Sequence, residues 1–283
     1  GLGEIPKKWT WDEYLEACKA MTHGEGADKV YGGSQYQAIN SVYNCMYQVY
    51  GKNALYNEEG LSSADDPVIK KALNREVQAE NVDGIWFPLS TYRSDNLQAQ
   101  QTYMTNVIAT SLNNNLIRFI RDTATYPVDF VTAFAPFPTE EAGQDNYMEG
   151  VSIFSHVGIA SQCSMDNYDA IYAFLKWYST YGSVYLVVAG HMPTWVNTDV
   201  NEMVSIIFGS EEAAAKLIDV ESYKRVACNY SGLTYTDTEL TAYSEISNIM
   251  QEYVLYAHNG EMTADKALAE IKNLSDEAIK AAK

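Results

Sequence analysis

Helical segments alternate with short apolar stretches along the 283-residue chain, and this alternation constrains the fold more than any single motif does. The stretch 107–110, for example, is short and apolar, and Leu116, Ile117 and Ile120 recur at helical spacing just after it. Three further strands are predicted, at residues 30–32, 128–134 and 150–161. Because strands that alternate with helices are typical of α/β folds, the sequence predicts an α/β protein.

The most clearly specified helix begins near residue 10. Thr10 suits the N-cap position, and Glu13, three residues later, completes a capping box. Trp9 and Tyr14 occupy the positions of a hydrophobic staple. The predicted inner side of this helix carries Trp11, Leu15, Cys18 and Met21.

Other helices are predicted from their caps and apolar stripes. The predicted N-caps are Asp65 or Asp66 (with Pro67 at the first helical position), Asp166 and Thr263. The corresponding stripes are Ile69, Leu73 and Val77; Ile171, Phe174, Leu175 and Tyr178; and Ala267, Leu268, Ile271, Leu274 and Ile279. Two more helices are predicted, at residues 96–103 and around Ile39, Val42, Tyr43, Met46, Tyr47 and Tyr50.

Composition excludes several classes of protein. The net charge of −18 repels phosphate backbones and anionic lipid, so neither nucleic acid nor a membrane surface is an expected partner. A hydrophobic content of 47% is sufficient for a packed core. The longest apolar candidate, Val184–Ala189, is far shorter than the roughly 18 residues of a membrane-spanning helix and suits a strand or a buried helical turn.

Four cysteines, at positions 18, 45, 163 and 228, form no CxxC motif, which disfavours a zinc ribbon or a thioredoxin-type site. Cys18 and Cys45 lie among apolar neighbours on helical patterns, and free buried thiols are the favoured interpretation. A disulfide between them stays open if the protein is exported.

Tyrosine is the most over-represented residue type, with 22 copies in a chain that is 12% aromatic. A tyrosine ring combines an apolar face with a hydroxyl group, as do the residues of grooves that hold sugars or peptides. For any single tyrosine, an ordinary half-buried position is the competing interpretation.

No catalytic, cofactor or metal motif is present. The sequence contains no GxSxG, HExxH, Walker-type or GxGxxG motif, and the histidines at 23, 156, 191 and 258 lack metal-ligand spacing. Paired acids occur at 65/66, 140/141, 211/212 and 237/239. Adjacent acids at helix starts favour capping over catalysis, so we predict no catalytic residues, no metal and no cofactor.

The order of short motifs carries a resemblance. Pro6-x-x-Trp-Thr-Trp-Asp-Glu-Tyr14, ending in Met21-Thr22, resembles a segment of the carbohydrate-type (family 1) extracellular solute-binding proteins of ABC importers. Features similar to that family's motifs follow in the same order at Val30–Gly32, Tyr50–Lys52, Tyr103–Thr110, Ala135–Pro138, Gly158–Ala160 and Gly190–Pro193. The segment 105–109 lacks the family's glycine, and Asn113–Asn115 replaces its usual aromatic residue.

The resemblance implies a periplasmic-binding-protein-like two-lobe fold of type II, with the N-terminal lobe incomplete. In that family roughly 100 residues, a small domain's worth, precede the Trp-Asp-Glu helix. The implied organisation is a C-terminal lobe in residues 1–150, part of the N-terminal lobe in 151–232, and a helical return to the C-terminal lobe in 233–283. The lobes would be connected near 150–155 and 230–235.

The resemblance also implies a ligand site at strand ends and connections. The candidate ligand-binding residues are Gln35, Tyr36, Trp86, Asn113, Asn114, Ser155, His156, Trp195, Tyr235 and Tyr243. Side-chain amides suit bidentate contacts to hydroxyl groups, and aromatic rings suit stacking. For each of these residues, core packing or a plain loop position is the alternative.

The expected function is to bind a sugar or oligosaccharide and deliver it to ABC transporter permease subunits by cleft closure. The protein would be a monomer and not an enzyme, and in its full-length form a periplasmic protein or a membrane-anchored extracellular lipoprotein. A cationic ligand is the second choice, given the acidic charge balance. A non-catalytic interaction or scaffold module and a glycoside-active enzyme stay open as other classes.

Overall fold

The computed structural model describes residues 3–35, 42, 45–46, 48–50, 55–112, 116–144, 159–193, 195, 197–226 and 241–283. Several predictions lie outside these residues: both predicted lobe connections, most of the strand at 150–161 and most of the helix around Ile39.

Among the described residues, helices and two short strands succeed one another along the chain. They are α1 (Trp11–Met21), β1 (Gly33–Ser34), α2 (Pro67–Asn81), β2 (Trp86–Phe87), α3 (Leu89–Ser94), α4 (Ala99–Met104), α5 (Ile117–Ile120), α6 (Tyr168–Ser179), α7 (Val200–Phe208), α8 (Glu211–Ala214), α9 (Val220–Val226), α10 (Tyr243–His258) and α11 (Ala264–Ala282). Short 3-10 helices cover Gly26–Asp28, Met165–Asn167 and Tyr181–Ala189.

The chain divides into two compact units. Unit 1 comprises Gly1–Leu112, Pro136–Ser152 and Leu233–Lys283, and unit 2 comprises Asn113–Ala135 and Ile153–Gly232. This division differs from the predicted segments in placing residues 113–135 with unit 2. Part of the reason is Thr132, whose N–H donates to Leu217 O and whose carbonyl accepts from Asp219 N–H, both at 2.9 Å. The assignment of the units to particular lobes stays a prediction.

The start of α1 confirms its sequence signals. Glu13 N–H donates to Thr10 Oγ1 at 3.3 Å, and Thr10 N–H donates back to Glu13 Oε2 at 2.7 Å. The rings of Trp9 and Tyr14 meet edge to face with centroids 5.2 Å apart, as the staple requires. Trp11 and Tyr14 are buried, so this end of α1 is fixed both by hydrogen bonds and by packing.

Helices α2, α10 and α11 pack together around the core of unit 1. Asp66 caps α2 by accepting from Val68 N–H at 2.8 Å, with Pro67 in the first turn, and Thr263 caps α11, as predicted. Fully or almost fully buried residues from the three helices include Ile69, Leu73, Ile246, Val254, Leu268, Ile271 and Ile279. The amphipathic stripes therefore locate the core of this unit correctly.

A buried charged cluster connects α2 with α10. His258 Nδ1 lies 2.6 Å from Glu80 Oε2, and His258 Nε2 lies 3.4 Å from Glu76 Oε2. Burial alone would lower the pKa of His258, but its pairing with the carboxylates of Glu76 and Glu80 outweighs burial and raises the pKa to about 9. His258 is therefore a core histidine whose two ring nitrogens both face carboxylates.

Unit 2 is built around α7 and the 3-10 helix at Tyr181–Ala189. Its buried side chains include Ile117, Ile120, Val184, Val187, Met203, Val204, Ile207, Ile218 and Tyr223. Tyr223 packs edge to face on Phe134 at 5.2 Å, which anchors the segment that precedes the return to unit 1.

Two predictions in unit 2 are wrong. The segment 128–134 is not a strand, because only Thr132 pairs, in an isolated parallel bridge with Ile218. Asp166 does not cap the long helix. Ser164 instead accepts from Asp166 N–H at 3.3 Å and starts a 3-10 turn that leads into α6.

The two cysteines of unit 1 follow the favoured interpretation. Cys18 and Cys45 are buried thiols, and they form no disulfide with each other. Cys163 is free and half-buried, and Cys228 lies outside the described residues.

Candidate ligand-binding edge of unit 1

Parallel chain segments of unit 1 end at a common edge. β1 pairs in parallel with β2, and Tyr31, just before β1, forms a parallel bridge with Ile108. In open α/β sheets ligands bind outside the carboxyl ends of such strands. We therefore define the carboxyl edge of unit 1 as Ser34, Gln35, Thr110 and Ser111, which follow or end these segments.

Two glycines allow α1 to pack directly against these segments. A Cβ atom on Gly32 would lie 2.0 Å from the backbone oxygen of Cys18, and one on Gly33 would lie 2.6 Å from the Tyr14 hydroxyl. Both distances are far below van der Waals contact, so no side chain fits at either position without displacement of α1 or its side chains. The Gly32–Gly33 pair thus determines how closely the helix approaches the edge.

Hydroxyl groups form a network behind the carboxyl edge. Thr110 Oγ1 donates to Gly32 O at 2.7 Å and lies 2.9 Å from the Tyr14 hydroxyl. The Tyr92 hydroxyl donates to Ser34 Oγ at 2.8 Å. These bonds satisfy buried groups and hold the ends of the parallel segments in place.

One hydroxyl at the edge has no such partner. Ser111 Oγ is buried and makes no hydrogen bond within the part of the chain that the structure describes. Leaving a buried hydroxyl without a partner costs about 1–3 kcal/mol. A polar ligand atom or a water molecule at this position would remove that cost, which makes Ser111 the strongest single pointer to a binding position at this edge.

The titratable groups near the edge stay neutral. Burial raises the pKa of Tyr14 well above its usual value, and it raises the pKa of Cys18 to about 11. At neutral pH the Cys18 thiol is therefore not the thiolate that a nucleophile requires. The edge offers neutral hydroxyl and amide groups, which can donate and accept hydrogen bonds to an uncharged polar ligand.

The predicted site residues fall into two groups. Tyr36, Asn113, Asn114, Ser155, His156 and Tyr235 lie outside the described residues. The other four are described, and only Gln35 belongs to the carboxyl edge, where it is 5% exposed. In the sequence, Tyr36 follows Gln35 directly, and Asn113 and Asn114 come two and three positions after Ser111.

The remaining three described residues lie elsewhere. Trp86 is fully buried in the core of unit 1, where its ring packs against Tyr14 with centroids 6.5 Å apart. Trp195, in unit 2, is half-buried and packs edge to face on Tyr181 at 4.9 Å. Tyr243 is 44% exposed at the first position of α10. Trp86 thus occupies the position of a packing residue, whereas Trp195 and Tyr243 retain accessible surface.

Sequence reasoning did not single out Ser34, Tyr92, Thr110 or Ser111. The available signal was positional: Thr110 ends the predicted apolar strand at 107–110, and Ser111 begins the predicted turn that follows it. Nothing in the sequence marked Tyr92, because its contact with Ser34 joins residues 58 positions apart.

Two features are absent from the described residues. Among them, no three histidine, cysteine, aspartate or glutamate side chains converge closely enough to hold a metal ion. None of their helices has the length and apolar character needed to cross a membrane.

Comparison with known proteins gives a fold but no sequence relative. Neither a protein-family model nor a characterised protein matches the chain by sequence. Among solved structures, a sugar transporter protein from Rhizobium etli in an open conformation matches with a TM-score of 0.66 and 16% identity over 99% of this chain and 66% of its own. An ABC substrate-binding protein from Listeria monocytogenes in complex with cycloalternan matches with a TM-score of 0.62 and 18% identity over 98% of this chain and 65% of its own.

A third solved structure has a similar fold. The maltose/maltodextrin-binding domain from Bdellovibrio bacteriovorus bound to maltotriose matches with a TM-score of 0.61 and 14% identity over 98% of this chain and 68% of its own. The chain therefore has the two-lobe fold of the solute-binding proteins of ABC importers, which confirms the predicted fold class. It spans about two thirds of the length of these structures, in agreement with an incomplete lobe.

Proposed function

We propose that this chain is the larger part of an extracellular sugar-binding protein that delivers its ligand to an ABC importer. The observation that carries the proposal is the match of 98% of the chain, through both units, to proteins whose names state cycloalternan or maltotriose as the bound ligand. In the proposed mechanism, ligand stabilises a closed conformation that the permease subunits recognise. The protein acts as a monomer, outside the cytoplasm or anchored as a lipoprotein.

The chemistry of the carboxyl edge favours a neutral sugar or oligosaccharide. Its groups are hydroxyls and amides, and the thiol and phenol behind it are held in their neutral forms by burial. The proposed contacts are Ser111 together with the predicted residues Gln35, Tyr36, Asn113, Asn114, Ser155, His156, Trp195, Tyr235 and Tyr243. Trp86 is omitted because its side chain has no exposed surface. A cationic ligand is the second candidate, because the net charge is −18.

A thermal-shift panel of mono- and oligosaccharides tests this proposal, both on the 283-residue chain and on the natural full-length polypeptide. A ligand at 100 times its Kd stabilises the folded state by about 2.7 kcal/mol. We expect at least one neutral sugar to raise the melting temperature of the full-length form. If no sugar in the panel changes this temperature, the proposal is contradicted. If only cationic compounds raise it, the ligand is a cation and not a neutral sugar.

Two serine variants locate the binding position. Ser111→Ala removes the unpaired hydroxyl and should weaken binding of the sugar found in the panel without lowering the stability of the free protein. Ser94→Ala, at the exposed end of α3, is the matched control and should change neither quantity. Equal affinity of Ser111→Ala and the unaltered protein would exclude this position from the ligand contacts.

Two other classes predict different results. An interaction or scaffold module gives no thermal shift with any small molecule. A glycoside-active enzyme needs two carboxylates about 5–9.5 Å apart across the bound sugar. It would convert an oligosaccharide that the binding protein returns chemically unchanged, so chromatography of the recovered ligand separates these two functions.

A further inference from the structure

One arginine of unit 2 has part of its charged group buried without a partner. Arg225 lies in the last turn of α9 and is half-buried. Its Nε and Nη2 atoms are shielded from solvent, and neither makes a hydrogen bond among the described residues. Because burying donors of a charged group without a partner is strongly unfavourable, this arrangement suggests that another group occupies the position when the protein is at work.

The two unpaired atoms belong to the same edge of the guanidinium group. The N–H bonds of Nε and Nη2 point in nearly the same direction, so together they can hold the two oxygen atoms of a carboxylate, or two oxygen atoms of a sulfate or phosphate group. Both donors of this edge are unused among the described residues. The geometry of Arg225 therefore matches a single oxyanion that accepts two parallel hydrogen bonds.

The carboxylate nearest in sequence does not fill this role. Glu221 precedes Arg225 by four residues on α9, the spacing at which helical ion pairs form. Glu221 is exposed, however, and the two side chains make no ion pair with each other. In unit 1, by contrast, the inward-facing Arg75 meets Glu140 at 2.7 Å. Arg225 thus lacks a counter-ion within the described part of a chain that has 37 acidic residues and only 19 lysines and arginines.

The position of Arg225 in unit 2 resembles that of the carboxyl edge in unit 1. Thr132 forms a parallel bridge with Ile218, and further along both segments Ser222 Oγ accepts from Phe134 N–H at 3.0 Å. Ser222 is fully buried, and Arg225 follows it by three residues on the same side of α9. Arg225 therefore lies beyond the carboxyl end of a parallel pairing, where ligands bind in α/β folds.

We propose that Arg225 anchors an oxyanion site in unit 2, in which Nε and Nη2 together bind a carboxylate, sulfate or phosphate group. The anion is either a free inorganic ion or the acid group of a larger ligand such as a uronic acid. At a shielded position this attraction is stronger than at a surface, because the local dielectric constant is low. Since both nitrogen atoms are covered in this structure, the anion enters through a local opening of unit 2.

Thermal unfolding at constant ionic strength tests the proposal. The melting temperature is measured in sodium chloride and again as phosphate or sulfate replaces part of the chloride. A site that binds the anion in the folded state should raise the melting temperature by roughly 5 °C at 100 times the Kd. If neither phosphate, sulfate nor glucuronate raises the melting temperature, the proposal is overturned.

A matched pair of variants separates binding from the general stabilising effect of phosphate and sulfate, which these ions exert on most folded proteins. Arg225→Gln removes the proposed anchor and should abolish the specific part of the shift. Arg121→Gln makes the same substitution at an exposed arginine of unit 2 and should keep the full shift. An equal shift in both variants and in the unaltered protein is a general salt effect, and it overturns the proposal.

The stability of Arg225→Gln in chloride alone tests whether the chain itself supplies the counter-ion. If the site is empty under these conditions, the variant should be at least as stable as the unaltered protein, because it removes a buried charge that has no partner. If its melting temperature is instead lower by several degrees, a carboxylate of the chain pairs with Arg225 and the proposal is wrong.

Glucuronate and glucose identify the source of the anion and keep this proposal separate from the proposed function. A shift with glucuronate and phosphate, but not with glucose, supports a site that recognises the oxyanion alone, whereas a shift with glucuronate only assigns the anion to an acidic sugar. If a neutral sugar binds and no oxyanion does, the proposed function stands and the oxyanion site is overturned. If an oxyanion binds through Arg225 and no sugar binds, the reverse holds.

Discussion

Arg75 and Glu140 form an almost fully buried ion pair, with Nη1 and Oε1 2.7 Å apart and side chains only 9% and 5% exposed. Lys71 contacts the other carboxylate oxygen at 2.9 Å, and the Arg75 guanidinium lies 4.2 Å over the ring of Trp11. The pair therefore connects α2 to α1 and to the segment through which the chain re-enters unit 1. Burial alone would raise the pKa of Glu140, but Arg75 and Lys71 outweigh it and hold the pKa below its usual value.

Removing the negative charge of Glu140 should destabilise unit 1 strongly. In Glu140→Gln the Arg75 charge remains buried without its counter-ion, and such a change costs about 3–5 kcal/mol. Urea unfolding followed by tryptophan fluorescence measures this loss. Asp265→Asn is the matched control, because the Asp265–Lys70 pair is more than half exposed at both side chains and should contribute little. Equal unfolding midpoints for the two variants would show that the buried pair contributes no more than an exposed one.

The stability of the protein should fall between pH 6.5 and about 9 because of His258. Its folded-state pKa, about 9, is above the ordinary value of 6.5, so protonation favours the folded state. This contribution is complete below pH 6.5 and is lost as the pH rises through about 9, with a total on the order of a few kcal/mol. Burial also raises the pKa of Glu76, and its titration acts in the same direction.

Unfolding free energies measured from pH 6 to 9.5 check this prediction. In His258→Gln the decline across this range should become smaller, and the variant should be less stable at pH 6 because Glu76 and Glu80 lose their cationic partner. His23→Gln alters an exposed histidine and should keep the decline of the unaltered protein. A decline of unchanged size in His258→Gln would assign the pH dependence to other groups.

Alanine at the two adjacent glycines should destabilise unit 1 to different degrees. Gly32→Ala places a Cβ atom 2.0 Å from the Cys18 backbone oxygen, which can move only if α1 moves. Gly33→Ala meets the end of the Tyr14 side chain at 2.6 Å, which has more freedom to adjust. Overpacking costs typically about 1–3 kcal/mol, so we expect Gly32→Ala to be at or above this range and Gly33→Ala to be milder. Thermal unfolding of both variants measures which one is less stable. If Gly33→Ala were the less stable variant, the close approach of α1 to Gly32 would be contradicted.

Removing the cap of α1 should cost about 1 kcal/mol. Thr10→Ala deletes the hydroxyl that accepts from Glu13 N–H and leaves that amide without its side-chain partner. Chemical denaturation measures the change, with Lys7→Ala, an exposed substitution just before the helix, as the control. A loss no larger than that of Lys7→Ala would mean that the Trp9–Tyr14 staple alone holds the helix end.

The features predicted correctly from the sequence are local. The caps at Thr10, Asp66 and Thr263 depend on hydrogen bonds between residues two or three positions apart, and the stripes of α2 and α11 depend on helical periodicity. The wrong strand at 128–134 shows the limit of this reasoning. Its apolar residues suit a strand, but whether a ladder forms is decided by the partner at Ile218, which is remote in sequence.

The sequence by itself determined where helices start, which of their faces are apolar, and, through the order of its motifs, the two-lobe class of fold. Only the tertiary structure decided that Gly32 lets α1 pack close to the carboxyl edge, and that Arg75 pairs with Glu140. It also decided that Ser111 Oγ is buried at this edge without a hydrogen-bond partner among the described residues. The physical reason is distance along the chain. Caps and stripes act within a few residues, whereas buried hydrogen bonds and ion pairs between remote residues form only once the chain has packed, and a sequence pattern does not encode which partners then meet.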